Sequence, residues 1–411
     1  MSQTRLLHYN ECAKQKRRDK YYLLAYLVFF GSNVIYLLSV YFSQRIEYHY
    51  SDANFISNAL IPISGVLLAA IFFGMLLSYS VRTPRYYLNK PIVVNESKVN
   101  KIILIILFVN FFILYRVQVV YGGIPILIYN LDMNVGVANS MQGAIGGGLL
   151  GIALLSINVG IYLSFLILIG PRKEHISLKK KYFFYLFLLI ILSLIFGKLG
   201  VLIFGIMFFI YERLINHKII IMIVYLAIAF IAINFIVVYR SQGLSNEVLN
   251  LSISPVTYIF DYYSQSAVNM LNFIYNDGLR DYKISFLNEV FATLPSIFSS
   301  IIPLEYNDNN KQLIDDHILI SGAPSGYYTY FLIQGYFGIF SYGLATGVII
   351  GWFINRINNP LYEIFFPFIL YAGFTSPIHV MFLNYFFLLF PFVIIYSLKS
   401  IIFRQDKLLK L

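Results

Sequence analysis

Charge is what this chain has least of. Only 12% of its 411 residues are Asp, Glu, Lys or Arg, against 59% hydrophobic, and the mean hydropathy is +0.73. No water-soluble domain sustains that balance over such a length, because about a quarter of an ordinary soluble chain is charged. Cysteine is nearly absent as well. A single Cys12 excludes an internal disulfide and any site built from paired thiolates. Missing too are a P-loop, a glycine-rich dinucleotide fingerprint opening a strand, and an HExxH zinc motif. The hydrophilic segments between apolar runs are short on the basic side of the chain. A nucleotide-fed catalytic domain is therefore excluded there.

What is present is a succession of long apolar runs. A helix needs roughly 20 apolar residues to cross about 30 Å of hydrocarbon. Such runs at 21–43, 57–80, 102–121, 143–170, 182–197, 199–212, 219–238, 327–353, 360–377 and 379–398 predict an all-α, polytopic integral membrane protein of about ten transmembrane helices. The start of the chain, through Lys20, is too long and polar for the basic region of a cleaved signal peptide, and the run after it is long enough to span.

The fifth and sixth runs are short, and Gly197, Lys198 and Gly200 separate them. The rival reading is one long tilted helix with Lys198 inside it. Charge decides between the two. With a break, Arg5, Lys14, Lys16, Arg17, Arg18, Lys20, the clusters at 82–101 and 172–181, Arg213, Lys218, Arg356, Arg404, Lys407 and Lys410 all fall on one side, which the positive-inside bias makes the cytoplasm. Without it, the basic C-terminus would lie outside. The expected order is a basic cytoplasmic tail over 1–20, transmembrane helices over 21–238, one large external loop over 239–326, further transmembrane helices over 327–398, and a cytoplasmic tail over 399–411. The net charge of +11 comes mostly from cytoplasmic loops, where it fixes topology and meets anionic membrane lipids, so no nucleic-acid partner is implied.

Seven cations run against that bias: Arg45, Arg116, Lys198, Arg240, Arg280, Lys283 and Lys311. Arg45 and Lys311 stand in hydrophilic loops and read as solvated. Arg116 and Lys198 stand near the outer ends of apolar runs, where desolvation makes a cation expensive and marks a candidate internal site. For Arg116, snorkelling to the interface is the competing reading. Arg240 ends the run from Ile219 to Val238 and opens the one long polar stretch, to about Gly326. A permanent cation where a helix leaves the bilayer invites an anionic head group.

The polar stretch has its own periodicity. Val256, Ile259, Phe260, Tyr263, Ala267, Met270, Leu271 and Ile274 keep helical spacing, with Asp261, Gln265, Asn269 and Asn272 on another face, which predicts an amphipathic helix along the outer membrane surface. A second candidate runs from Phe286 to Ile301, kinked at Pro295. Such helices either roof a cavity between the spans or merely tie the loop down. Further on come Glu305, Asp308, Asp315, Asp316 and His317. Asp315 and Asp316 beside His317 could bind a divalent metal or serve as acid and base, or be a solvated loop cluster.

In their order these features resemble a family. A basic N-terminus, about ten spans, "YRSQG" at Tyr239 to Gly243 directly after a late span, a large external loop, and "GAPSGYYTYFLIQGYFGIFSYG" at Gly322 to Gly343 before the last spans look like the oligosaccharide repeat-unit polymerases, the Wzy-type O-antigen polymerases. The resemblance implies a GT-C-like architecture in the bacterial inner membrane, both termini cytoplasmic and the large loop periplasmic. It implies transfer of a growing glycan from undecaprenyl diphosphate to the non-reducing end of an incoming lipid-linked repeat unit, without cofactor or metal and with a chain-length regulator, a polysaccharide co-polymerase, as partner. Arg240 would then neutralise the departing diphosphate through charge-assisted, often bidentate hydrogen bonds, with Arg116, Lys198 and Arg280 as companions. The base for the acceptor hydroxyl would be His317, Asp316, Asp315, Glu305 or His379. Tyr262, Asn269, Tyr327 and Tyr328 would meet the sugar. The related O-antigen ligases, which join the glycan to a lipid core, share this architecture and donor and stand as the alternative; they carry a histidine in the large loop, and His317 is its nearest counterpart. A lipid-linked oligosaccharide flippase would also use internal cations, but with internal repeats and short loops on both sides, and neither is seen here.

Overall fold

A computed structural model describes residues 3–42, 53–81, 93–123, 147–169, 176–196, 328–357, 360–377 and 391–404, together with positions 205–208, 210–211, 220–221, 224, 263 and 267. The regular elements are almost all helices: α1 (Gln3–Phe42), α2 (Ala53–Ser80), α3 (Glu96–Tyr121), α4 (Gly147–Ile169), α5 (Ile176–Ile195), α6 (Tyr328–Ile354), α7 (Pro360–Glu363), α8 (Phe366–Thr375) and α9 (Lys399–Ile402). Two short strands, β1 (Val93–Val94) and β2 (Phe403–Arg404), form an antiparallel pair. Among the described residues, five helical segments are long and apolar enough to cross a membrane: Gln15–Ser39, Leu60–Ser80, Glu96–Val120, Ile152–Ile169 and Gly335–Ile354. The chain divides into two compact units. The first comprises Met1–Arg85, Ile253–Asn358 and Ile369–Phe386, and the second Tyr86–Ser252, Asn359–Phe368 and Phe387–Leu411.

In the first unit α2 and α6 approach until their backbones nearly touch. Ala70, Gly74 and Ser78 recur every fourth residue on α2, and Gly343, Gly347 and Gly351 do so on α6. A Cβ on Gly347 would strike the Ile71 carbonyl oxygen, and one on Gly74 the Leu344 carbonyl. One on Gly343 would lie 2.8 Å from Ala70 Cβ and 2.9 Å from Leu67 O. Lipid tails are as apolar as leucine, so helices in a bilayer gain little by burying apolar surface on each other and associate instead through close packing of small residues. Side-chain hydrogen bonds finish the seam: Ser78 Oγ donates to Val348 O at 2.9 Å, and Asn355 Nδ2 to Ser78 O at 2.6 Å. Higher on α6, Gly335 has φ 58, a left-handed conformation that other residues adopt only with strain. The membrane-length segment of α6 begins there.

Gly347→Leu should therefore lower the stability of the detergent-solubilised protein by about 3 kcal/mol or more, since the added side chain meets backbone that cannot yield. Gly65 on the same α2 has open space where its Cβ would go. Gly65→Ala should be neutral or stabilising by up to about 1 kcal/mol. Thermal unfolding of the two variants side by side tests the seam, and equal melting temperatures would refute it.

α1 is longer than the span expected at 21–43, because helix runs through the basic tail from Gln3. No glycine or proline occurs between Gln3 and Phe30, and the tail is rich in residues that sustain a helix.

The second unit is built on α3, α4 and α5. Asn95 caps α3, its side chain accepting from Lys98 N, and Gly122 closes the helix in the left-handed conformation at φ 70. Asn110 Nδ2 on α3 donates to Ser156 Oγ on α4 at 2.8 Å. Tyr185 of α5 donates to Asn100 Oδ1 at 2.9 Å, and Tyr182 to Glu96 O at 3.1 Å. Just before α3, Asn95 N donates to Ile402 O at 2.6 Å, extending the β1 and β2 pairing of two segments that the charge pattern puts on the same side.

The chain reverses after α5. A Cβ on Gly205 would lie 2.6 Å from Ile190 Cγ1, whereas a continuous helix would hold residues 190 and 205 about 22 Å apart. Phe208 then packs edge-on to Phe165 of α4 at 4.7 Å, and Tyr211 follows at 5.7 Å from the same ring. One long helix through Lys198 is thus incompatible with the packing. The ninth run, expected as one helix over 360–377, is instead divided into α7 and α8 by a turn at 364–365. Pro367, in the first turn of α8, explains the restart there, where its missing N–H costs nothing.

Candidate functional site

Of the residues singled out for chemistry, Arg240, Asp315, Asp316, His317, Glu305, Lys198, Arg280, Tyr262, Asn269, Tyr327 and His379 lie outside the described residues. Tyr328 is the first residue of α6. Arg116 is in the last part of α3, exposed beside the equally exposed Phe112, Tyr115 and Val119. That exposure fits the snorkelling reading better than an internal site.

Tyr263 and Ala267 are helical and buried. Four residues apart, they share one face, the apolar face read from the 256–274 periodicity. Tyr263 Oη donates to Phe374 O at 2.7 Å, and the two rings meet edge-on at 6.1 Å. The carbonyl just before Phe374 is open for a covalent reason. Pro377 has no N–H, so the carbonyl of Gly373, four residues earlier, is left without its helical donor. Ser32 Oγ of α1 donates to it at 2.7 Å and Ser376 Oγ at 3.0 Å. The end of α8 is therefore held by hydroxyls from α1 and from its own turn, with Tyr263 bound to the next carbonyl. A Cβ on Gly373 would lie 3.0 Å from Phe29 Cδ2, so α1 and α8 are close enough for the Ser32 contact.

α1 carries an interior polar stripe that composition hides. Ser32, Asn33, Tyr36 and Ser39 are all buried. Asn33 Nδ2 donates back to Phe29 O at 2.8 Å and Ser39 Oγ to Tyr36 O at 2.6 Å, while the Ser32 hydroxyl, whose one proton goes to Gly373 O, also lies 3.0 Å from Phe29 O. Asn33 Oδ1 has no hydrogen-bond partner among the described residues. An open buried acceptor costs about 1–3 kcal/mol.

The second unit holds a buried carboxylate that the sequence reading passed over. Glu363 is 7% exposed and accepts from Tyr211 Oη at 3.1 Å, with the Tyr211 ring against Phe366 at 5.3 Å. An ionisable group at this depth needs a partner, and the phenol supplies one. Its signal was a lone acid one turn into an apolar run. Among the described residues, no group of three or more His, Cys, Asp and Glu comes together as a metal site would require.

No protein-family model, no curated protein and no solved structure matches this chain. Its chemistry is read from its own residues.

Proposed function

We propose that this protein is a membrane glycosyltransferase that polymerises lipid-linked oligosaccharide repeat units on the outer face of the bacterial inner membrane. It crosses the bilayer about ten times in a GT-C-like arrangement, with both termini cytoplasmic and 239–326 periplasmic. The observation that carries the reading is Arg240 at the mouth of the one long polar stretch in a chain otherwise made of spans. The attachment of Tyr263 to the end of α8 supports it, because a loop fixed at that point can wall a site beside the spans.

The compartment outside the cytoplasm holds no nucleotide sugars, so the donor must bring its own leaving group. A polyprenyl diphosphate does. Arg240 neutralises the charge that accumulates on the diphosphate as the glycosidic bond forms, and Arg280 and Lys198 assist, with Arg116 at the lipid interface. The acceptor hydroxyl gives its proton to His317 or to Asp315 or Asp316, with Glu305 and His379 as the remaining candidates. Tyr262, Asn269, Tyr327 and Tyr328 orient the sugars. A chain-length regulator is the expected protein partner, and lipid-linked oligosaccharide the substrate on both sides of the reaction.

The pattern of surface glycan in a null mutant tests the proposal. A single repeat unit on the lipid core is the polymerase result, whereas a core bearing no glycan indicates a ligase or flippase. Topology gives a second reading of the same scheme. A reporter active only outside the cytoplasm should work when fused near Ser266 or Asn309 and fail near Lys180 or Asn216. The reverse pattern would move the loop to the wrong compartment for this chemistry.

A further inference from the structure

The ends of α2 and α6 meet the middle of α1 at a basic, aromatic corner. Arg18 of α1 is half-buried, with its guanidinium carbon 4.3 Å from the centre of the Tyr79 ring on α2. Its Nη1 lies 3.4 Å from Asn355 Oδ1, just beyond α6. Tyr22 secures the same amide, its Oη standing 3.1 Å from Asn355 Oδ1 and 3.0 Å from Gly351 O. Asn355 is buried and spends its Nδ2 on Ser78 O. Arg18 is thus held in place by a neutral ring and a neutral amide, and its buried Nε has no hydrogen-bond partner among the described residues. The neighbouring acid Asp19 is already engaged, its Oδ1 accepting from Gln15 Nε2 at 3.0 Å and from Tyr79 Oη at 3.2 Å.

A second guanidinium repeats the arrangement. Arg356 Cζ stands 4.0 Å over the Trp352 ring, with Nη1 donating to Trp352 O at 3.0 Å. Lys16 and Lys20 are exposed on α1. Directly along the same helices, toward the membrane interior, the surface turns apolar, with Ile349 on α6 and Leu76, Leu77 and Phe73 on α2 all exposed. A cationic head region above an exposed apolar wall matches one kind of molecule, with a negative phosphate at one end and hydrocarbon at the other. An aromatic face beneath a guanidinium orients it without neutralising it, leaving the charge for a ligand.

We propose that this corner binds the phosphate of an anionic phospholipid, whose acyl chains lie along the exposed faces of α2 and α6. The proposal is independent of what the external loop catalyses. Inorganic phosphate shares the charge but has no chains, and a zwitterionic phospholipid shares the chains but carries its own cation.

Native mass spectrometry of the full-length protein, offered phosphatidylglycerol and phosphatidylcholine in equal amounts, tests this. The wild type should retain phosphatidylglycerol in preference. Arg18→Gln and Arg356→Gln should each lower that retention about five-fold, the worth of one cation near an anionic head group. Lys180→Gln, which removes an exposed cation from α5, should leave it unchanged, and inorganic phosphate should not displace the lipid. Should Arg18→Gln prevent folding, Arg356→Gln gives the same readout from the more exposed side. Unchanged retention in the arginine variants, an equal loss in Lys180→Gln, or displacement by inorganic phosphate would each overturn the proposal.

Discussion

Arg240→Ala will abolish chain extension at unchanged protein abundance. The proposed transfer would generate charge on a departing diphosphate, and water is a poor substitute for a fixed guanidinium aimed at it. Losing one preorganised donor of that kind costs about 10² to 10³ in rate. The loss is larger where the donor also positions the substrate, because a bidentate fork fixes orientation as well as charge. Arg240→Lys should therefore also be poor. An ammonium keeps the charge but presents a point where the diphosphate needs a planar pair of donors. Lys180→Ala is the counterpart, because Lys180 is exposed on α5, in a segment whose cations are expected to set topology. It should extend chains normally. The measurement is the glycan ladder from cells expressing each variant at matched abundance. Equal loss in Arg240→Ala and Lys180→Ala would remove the diphosphate-binding role.

The features legible in the sequence are those that bilayer thickness and charge dictate. Apolar runs at 57–80 and 102–121 became α2 and α3 with small shifts at the ends, since a span has little freedom in its length. The reversal between α5 and Gly205 followed from charge alone, and the packing of Gly205 against Ile190 requires it. What the sequence did not yield depends on knowing which helix lies next to which. The four-residue recurrence of Gly343, Gly347 and Gly351 is visible in one dimension, but its meaning appears only when Ala70, Gly74 and Ser78 lie opposite. Likewise Ser32, Asn33 and Ser39 look like ordinary breaks in an apolar run until α1 is seen to turn them inward.

At the candidate site the division is similar. Helical spacing put Tyr263 and Ala267 on one buried face, but nothing in that spacing pointed to the Phe374 carbonyl as the phenol's partner. The Ser32 contact with Gly373 was equally hidden, because it depends on the missing N–H of Pro377 and on α1 lying alongside α8. Arg116 was evenly divided between two readings, and its exposure beside Tyr115 and Val119 favours the interface.

Substituting the acceptor's base should separate binding from turnover. In the proposed scheme donor binding depends on the cations and proton removal on a different group, so His317→Ala, Asp315→Ala or Asp316→Ala should leave lipid-linked donor bound while extension stops. Losing a positioned general base costs about 10² to 10⁴ in rate, enough to turn long chains into single repeat units. Arg240→Ala should instead weaken retention of the donor itself, which makes the two classes of variant distinguishable on purified protein. Asp315 and Asp316 are adjacent, and neighbours in a helix or strand point in different directions, so one of the two should be far more sensitive than the other. Asp→Asn at the sensitive position keeps the shape and removes the basicity. It should be as inactive as alanine if proton transfer is the role, and largely active if the carboxylate only orders the loop. His379→Ala is the internal comparison, because His379 follows closely on the end of α8, which Ser32 and Tyr263 hold in place. If His317, Asp315 and Asp316 all tolerate alanine with full-length chains, the proton goes elsewhere. A loss in His379→Ala or Glu305→Ala with donor still bound would then identify the base.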